Sequence, residues 1–213
     1  MQDVFGYQVD EALDSVEALR ADARAPSEIV RNKVIDHIDP LAERFIAASP
    51  LAFVSSLRPD GVLDMTPRGD PAGFVHVLDP KTLALPDRPG NFRMDLFENV
   101  IDNGAVGLIF VIPGIRDTLR VSGTGRLVRD AALGERLAVN GKPAQHILLI
   151  RVNRVMGHCP KAFIRGRIWE PEAWPDVSEV PTVAEMVKAH AELPHPIEEL
   201  EEIVRVSNTE RLY

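Results

Sequence analysis

The sequence predicts a β-dominated α+β fold: a six- to seven-stranded antiparallel split β-barrel with flanking N- and C-terminal helices. Two observations carry this. From Leu51 onward the helical spacing of apolar residues gives way to short runs bounded by Pro/Gly turns, which is strand and hairpin punctuation. Between those runs only one substantial helical segment intervenes, too few for the strand-by-strand crossovers that a parallel, doubly wound sheet requires.

Residues 3–49 read as helical. Leu13, Val16 and Leu19 recur at helical steps, Ser27 is placed to cap a helix through Ile35, and Asp39-Pro40 supplies an N-cap followed by Pro at the first helical position. That third helix carries Leu41, Phe45 and Ala48 on one face and ends at Ser49-Pro50. Leu51–Leu57 then reads as a strand, Arg58-Pro59-Asp60-Gly61 as a hairpin turn, and Val62–Thr66 as the returning strand. Phe74–Leu78 and Thr82–Leu85, joined through Asp79-Pro80-Lys81, form a second hairpin, and Met94–Ile101 a helix. Val106–Ile112 is continuously apolar, the mark of a strand buried on both faces. Thr118–Val128 is a long strand in which Gly123 and Gly125 predict a bend or bulge. A short helix over Asp130–Val139 precedes the last long strand, Ile147–Val155. Beyond Trp169 the chain returns to helix: Thr182 and Glu185 form a capping box, and Ile197, Leu200, Ile203 and Val204 line one face of the final helix.

The net charge of −8 is concentrated at one end, because residues 171–213 hold ten acidic against three basic side chains, so the preceding 170 are nearly neutral. That balance argues against nucleic-acid binding, which requires a broad basic face. No run approaches the roughly 18 apolar residues of a membrane span, and an acidic N-terminus is not that of a secretory signal, so a cytoplasmic protein is expected. The single cysteine, Cys159, excludes an internal disulfide and a cysteine-rich metal site. No metal is expected.

Neither a nucleophile elbow, a zinc-helix motif nor a phosphate loop is present, and the six histidines are scattered without helical partners. The stretch around which the chain is organised is Asp64–Asn99. Thr66-Pro67-Arg68-Gly69-Asp70 precedes its apolar runs and Asp87-Arg88-Pro89-Gly90-Asn91-Phe92-Arg93 follows them, the second turn opening a helix. Arginines on strand-end turns at a helix N-terminus suit a phosphate ester, while solvated turn arginines are an equally good reading of these residues alone. Asp70 and Asp87 each lie near an arginine and read as ion-pair partners rather than an acid–base pair. Arg151, Arg154, Lys161, Arg165 and Arg167 form a second basic cluster, which would serve either an anionic ligand or the acidic tail. If Pro160 opens a helix, Lys161, Arg165 and Trp169 form one row.

The order SPLAFVSSLRPDGVLDMTPRGDPAGFV, LALPDRPGNFRMDLFENVIDNGAVGLIFVIPG, TLRVSGTGRLV resembles the pyridoxamine 5′-phosphate oxidase-like FMN-binding split-barrel family, and HCPKAFIRGRIWEPEAW resembles an uncharacterised branch of it. The resemblance implies FMN as cofactor, with Met65, Thr66, Pro67 and Arg68 along the flavin ring and Asp87, Arg88, Asn91 and Arg93 at the ribityl chain and phosphate. It also implies a homodimer with cofactor sites at the subunit interface, Thr118 and Arg120 being contributed by the partner. The phosphate turn departs from the Thr, Ser, Arg, Lys pattern of vitamin-converting members, and their C-terminal substrate-holding Trp and Arg are unmatched in Ile197–Tyr213. The resemblance therefore carries FMN binding and not pyridoxamine phosphate oxidation.

The expectation is an FMN-dependent oxidoreductase of an unidentified small substrate, with Lys161, Arg165, Arg167 and Trp169 as substrate contacts and no side chain assignable as acid or base. The alternative is a non-catalytic FMN- or haem-binding protein. Its expected organisation is an N-terminal helical segment (1–49), the FMN-binding split barrel (50–170) and an acidic C-terminal helical extension (171–213).

Overall fold

The computed structural model describes residues 1–210 and Tyr213; Arg211 and Leu212, within the expected C-terminal extension, lie outside the described residues. The chain divides into two compact units, 1–34 and 35–213.

In the first unit, residues expected to be helical instead open with a hairpin, β1 (Gln2–Val4) paired with β2 (Tyr7–Val9). Its tight turn places both Phe5 and Gly6 at positive φ, the backbone of a two-residue turn whose twist matches the strands. Two short helices follow, α1 (Val16–Asp22), capped by the Ser15 side chain on the Ala18 N–H, and α2 (Glu28–Asn32).

The second unit begins with α3 (Pro40–Ala48), whose N-cap Asp39 accepts from the Ala42 N–H at 2.8 Å, the Asp-Pro start read from the sequence. Seven strands then form one antiparallel sheet: β3 (Leu51–Leu57), β4 (Leu63–Gly69), β5 (His76–Asp79), β6 (Thr82–Pro86), β7 (Ala105–Val111), β8 (Thr118–Val128) and β9 (Ile147–His158), in the order β4-β3-β7-β8-β9-β6-β5. Helix α4 (Asp95–Asp102) joins β6 to β7, and α5 (Ala131–Arg136) with its Asp130 cap joins β8 to β9. After β9 come α6 (Lys161–Arg165), a 3-10 turn at Pro171–Ala173, α7 (Val183–His190) with the expected Thr182–Glu185 capping box, and α8 (Ile197–Thr209).

The predicted antiparallel class and strand count are observed, but the hydrogen-bonded ladder does not close: β4 and β5 remain edges. The sheet nonetheless curls, since Arg68 and Asp70 at the end of edge strand β4 touch Asp87 and Arg88, which follow β6 near the opposite edge. The bend in β8 falls where its glycines predicted it, with a register shift between Ser122 and Gly123; a Cβ on Gly123 would lie 2.0 Å from the Arg151 carbonyl oxygen.

Alternation sorts the two faces of the sheet. Ala52, Val54, Val106, Leu108, Phe110, Val121, Leu148 and Ile150 point inward, where Ile46 of α3 and Phe97 of α4 complete the main core. Each of these side chains larger than Ala52 stabilises the fold by about 1.5–3 kcal/mol through burial. The reading of residues 106–112 as buried on both faces needs correction, because Ile109 is 40% exposed on the outer face with Phe53, Leu63 and Met65. Among the described residues that face stays partly open at Phe53, Leu63, Met65 and Ile109, so β7 is fully covered on one side only.

Candidate functional site

Strand β4 separates two surfaces. Its alternate residues Asp64, Thr66 and Arg68 face α4: Asp64 accepts from the Asn99 amide at 3.3 Å, and the Arg68 guanidinium lies 5.2 Å from the centre of the Phe97 ring. The segment 87–95 runs alongside, from Asp87, which Arg68 meets at 3.2 Å, to Arg93 and Asp95. Thr66 thus lies midway along an edge of the sheet flanked by this segment, with Arg68 at one end and Arg93 toward the other. As the edge of the sheet, β4 also turns alternate backbone N–H and C=O groups away from β3; at Pro67 the donor is missing and the carbonyl accepts from the Thr66 hydroxyl at 3.3 Å.

The two Asp–Arg turns pair crosswise. Arg68 binds Asp87, while Arg88 donates from Nε to Asp70 and from its terminal nitrogen to the Leu137 carbonyl at 2.7 Å. The Asp70 side chain is only 1% exposed. Its other oxygen accepts the Tyr213 phenol at 2.6 Å; that hydrogen bond, burial and the negative charge of Asp70 together raise the phenol above its usual range. Both guanidinium groups therefore have their places fixed, and one donor stands out: the Arg68 Nε is buried without a hydrogen-bond partner. Buried, unpaired donors of this sort are rare.

At the other end of the segment the Asn91 side chain accepts from the Arg93 N–H at 3.0 Å, forming an Asx turn, and Phe92, 90% exposed as a residue, takes a left-handed backbone conformation (φ 61°). A bulky residue at that φ is unusual. Arg93 pairs with Asp95 at 2.7 Å but is itself 73% exposed. Hydrogen bonding to Arg93 lowers the Asp95 carboxyl from its ordinary range. The β3–β4 turn lies close enough for Arg58 to act on the same carboxylate, while its own partner is Asp60 at 3.2 Å.

The opposite, outer face of β4 carries the side chains of Met65 and Pro67. Met65 borders a cavity of about 280 Å³ across β4, β3, β7, β8 and β9, lined also by Phe53, Ile109, Arg120, Arg154 and Met156. Arg120 was expected near a cofactor; Arg154 at this place was not foreseen, since only the cross-strand register brings the two to one surface. Thr118, two residues before Arg120, is buried at the start of β8 opposite His158.

The row expected from Lys161 through Arg165 to Trp169 does not form. Helix α6 ends at Arg165, Gly166 caps it, and Arg167 takes a left-handed φ of 50°, which swings Trp169 out of register. Trp169 instead packs against Phe163, ring centres 5.8 Å apart, and donates its indole N–H to the Ile115 carbonyl at 2.9 Å. Arg167 and Arg116 share Glu170, and Glu202 binds Arg205 within its own helix, so among the described residues no ion pair joins the basic cluster to Glu198–Glu202 of the acidic tail. Among the described residues no group of three or more His, Cys, Asp or Glu side chains could hold a metal, and no helix is long and apolar enough to cross a membrane.

A single curled antiparallel sheet with helices packed on its inner face defines the class of protein. The chain belongs to the pyridoxamine 5′-phosphate oxidase family, whose model matches residues 38–159. Among solved structures, Group A Streptococcus HupZ is similar at 19% identity over 56% of this chain and 93% of that one, TM-score 0.46. A protein related to general stress protein 26 from Clostridium acetobutylicum aligns at 18% identity over 53% and 81%, TM-score 0.41. An FMN-binding protein from Syntrophomonas wolfei subsp. wolfei aligns at 10% identity over 53% and 80%, TM-score 0.42. No curated protein sequence matches the chain.

Proposed function

We propose that the chain is a cytoplasmic FMN-binding flavoprotein, an oxidoreductase of a small molecule, acting as a homodimer through the outer face of its sheet. The observation that carries the cofactor assignment is the buried, unpartnered Nε of Arg68 at the head of the β4 groove, a donor waiting for an acceptor. The rest of the groove fits a phosphorylated, flat ligand. Arg93 is tied only by an exposed ion pair, a type usually worth less than about 1 kcal/mol, and can exchange it for a phosphate at little cost. The amide nitrogen of Asn91 adds a donor, the Thr66 hydroxyl can add another by giving up its 3.3 Å bond to the Pro67 carbonyl, and the backbone edge at Met65 can meet the donor and acceptor edge of a flavin ring.

Arg88 and Asp87, expected among the ligand contacts, are better read as its frame, because their charged groups are already engaged by Asp70 and Arg68. FMN, when bound, supplies the hydride chemistry, and the chain's own task is to bind, orient and shield it. The exposed apolar row Phe53, Leu63, Met65 and Ile109 favours a second copy as its cover. This keeps residues 50–170 as the cofactor-binding body.

The test is the absorbance spectrum of the purified protein, followed by titration of the flavin-free form with FMN. Flavin bands, or saturable quenching of FMN fluorescence, are expected. A haem Soret band in their place, or no response to FMN, would overturn the proposal.

A further inference from the structure

We infer that Tyr213 is a positioning residue for the segment 87–93: its side chain braces the Asp70–Arg88 pair, so the seating of Tyr213 governs how well that segment holds the cofactor. The geometry is a double span between the same two regions. Arg88 joins Asp70, just after β4, to the carbonyl of Leu137, the C-cap of α5, at 2.7 Å. Tyr213 joins the same Asp70, through its phenol at 2.6 Å, to the Lys142 ammonium in the turn that follows α5, through its backbone carbonyl at 2.6 Å. The two spans meet at Asp70, one carboxylate oxygen in each.

Both ends of the second span are held by their own backbones. The Asp70 N–H donates to the Pro50 carbonyl at 3.2 Å, which ties it to the start of β3. Lys142 leaves a tight turn in which Asn140 and Gly141 both take positive φ and Val139 and Lys142 exchange backbone hydrogen bonds at 2.9 and 3.2 Å. Desolvation makes the brace matter. A buried carboxylate persists as an ion only while its oxygens keep their donors, and Arg88 serves only one of the two. Removing the phenol leaves the other oxygen bare, so water enters or the carboxylate turns, and the Arg88 pair loosens with it. Arg88 is covalently next to Asp87, the partner of Arg68, and leads through Pro89-Gly90 to Asn91 and Arg93. Its loosening therefore disorders donors that would otherwise meet a phosphate already in place, and a ligand that must order its own site binds more weakly. By linkage, the cofactor favours the seating of Tyr213 by the same factor. As control of FMN retention the inference rests on the function proposed above; the ordering of 87–93 does not.

Two measurements on wild type, Tyr213→Phe, Lys142→Met and Asp39→Ala test it: hydrogen exchange at the Asp87 N–H, which donates to the His146 carbonyl at 2.9 Å, and fluorescence titration with FMN. Tyr213→Phe is expected to speed exchange at Asp87 and to weaken FMN by about three- to tenfold, the worth of one hydrogen bond, with Lys142→Met moving both readouts the same way. Asp39→Ala removes the cap of α3 and lowers overall stability by a similar amount, yet should move neither, because the segment opens locally and not with the whole fold. Unchanged exchange in both Tyr213→Phe and Lys142→Met, or unchanged FMN affinity in Tyr213→Phe, would overturn the inference. So would equal effects of Asp39→Ala, which would reduce Tyr213 to a contributor to overall stability. Faster exchange at Asp87 in Tyr213→Phe, in a protein whose wild type takes up no FMN, would keep Tyr213 as the brace of the segment and sink the flavoprotein reading alone.

Discussion

At one end of β4, Arg68 and Arg88 reach across the sheet to acids 19 and 18 residues away, in pairs largely shut off from water; at the other, Arg93 and Arg58 hold acids only two residues along their own turns, in solvent. The residue types are the same. What separates them is desolvation. Removing one partner of a buried pair strands a charge where water cannot reach it, whereas an exposed pair can be opened with little loss. The first set is therefore fixed within the fold, while the second can exchange partners at little cost.

The sharpest way to break this contrast is Asp70→Ala, which leaves Arg88 and the Tyr213 phenol without their shared acceptor. A loss of about 3–5 kcal/mol is expected from urea unfolding, against less than about 1 kcal/mol for Asp60→Ala. Similar losses in the two variants would erase the distinction.

Next in size is the effect on FMN. Arg93→Ala should weaken binding by about one to two decades, the worth of a charge-assisted bond of roughly 1.5–3 kcal/mol, with almost no change in stability. Arg58→Ala is a weaker perturbation but not a silent one, because Arg58 shares the field of Asp95. Asp95→Ala, by releasing Arg93 and removing a negative charge, should tighten FMN. Fluorescence titration of the three variants decides, and tighter binding by Arg93→Ala would remove that residue from the site.

Tyr213→Phe sharpens the comparison from the frame side. It deletes one hydrogen bond to Asp70 but keeps the Arg88 pair, so a loss of about 0.5–1.5 kcal/mol is expected. Because the folded phenol titrates above its unfolded value, this contribution is complete below the unfolded pKa and disappears as pH rises through the folded one. The difference between wild type and variant in urea midpoint should accordingly shrink in strong alkali and be constant near neutrality.

The smallest effect is at His76. Burial, then the charges of Arg136 and Arg88, lower its pKa, so the fold favours the neutral ring. Its contribution is present above the unfolded value and is lost as pH falls through the lower folded value, and partial exposure keeps it modest. His76→Gln should flatten the rise of stability with pH just below the ordinary histidine pKa; an unchanged profile would show that other groups produce it.

How much of this was legible beforehand varies with the range of the interaction. Local signals succeeded: Leu51–Leu57 and Thr118–Val128 are strands with the limits read from the sequence, and the Asp39 and Thr182 caps hold their helices as expected. The opening hairpin was missed because Phe5 at positive φ is not a residue that announces a turn. The Lys161–Trp169 row failed because helix periodicity was carried past Gly166, where the chain leaves the helix.

By itself the sequence determined the antiparallel class and the order of the strands and helices of the sheet, since these depend on periodicity, caps and turn chemistry within a few neighbouring residues. Only the tertiary structure decided that Arg68 pairs with Asp87 and Arg88 with Asp70, that Arg68 retains an unmatched buried donor, and that Arg120 and Arg154 share a cavity. Each of those depends on strand register and on the curl of the sheet. Register and curl are set by which apolar faces bury together, a property of the whole core that no single segment encodes.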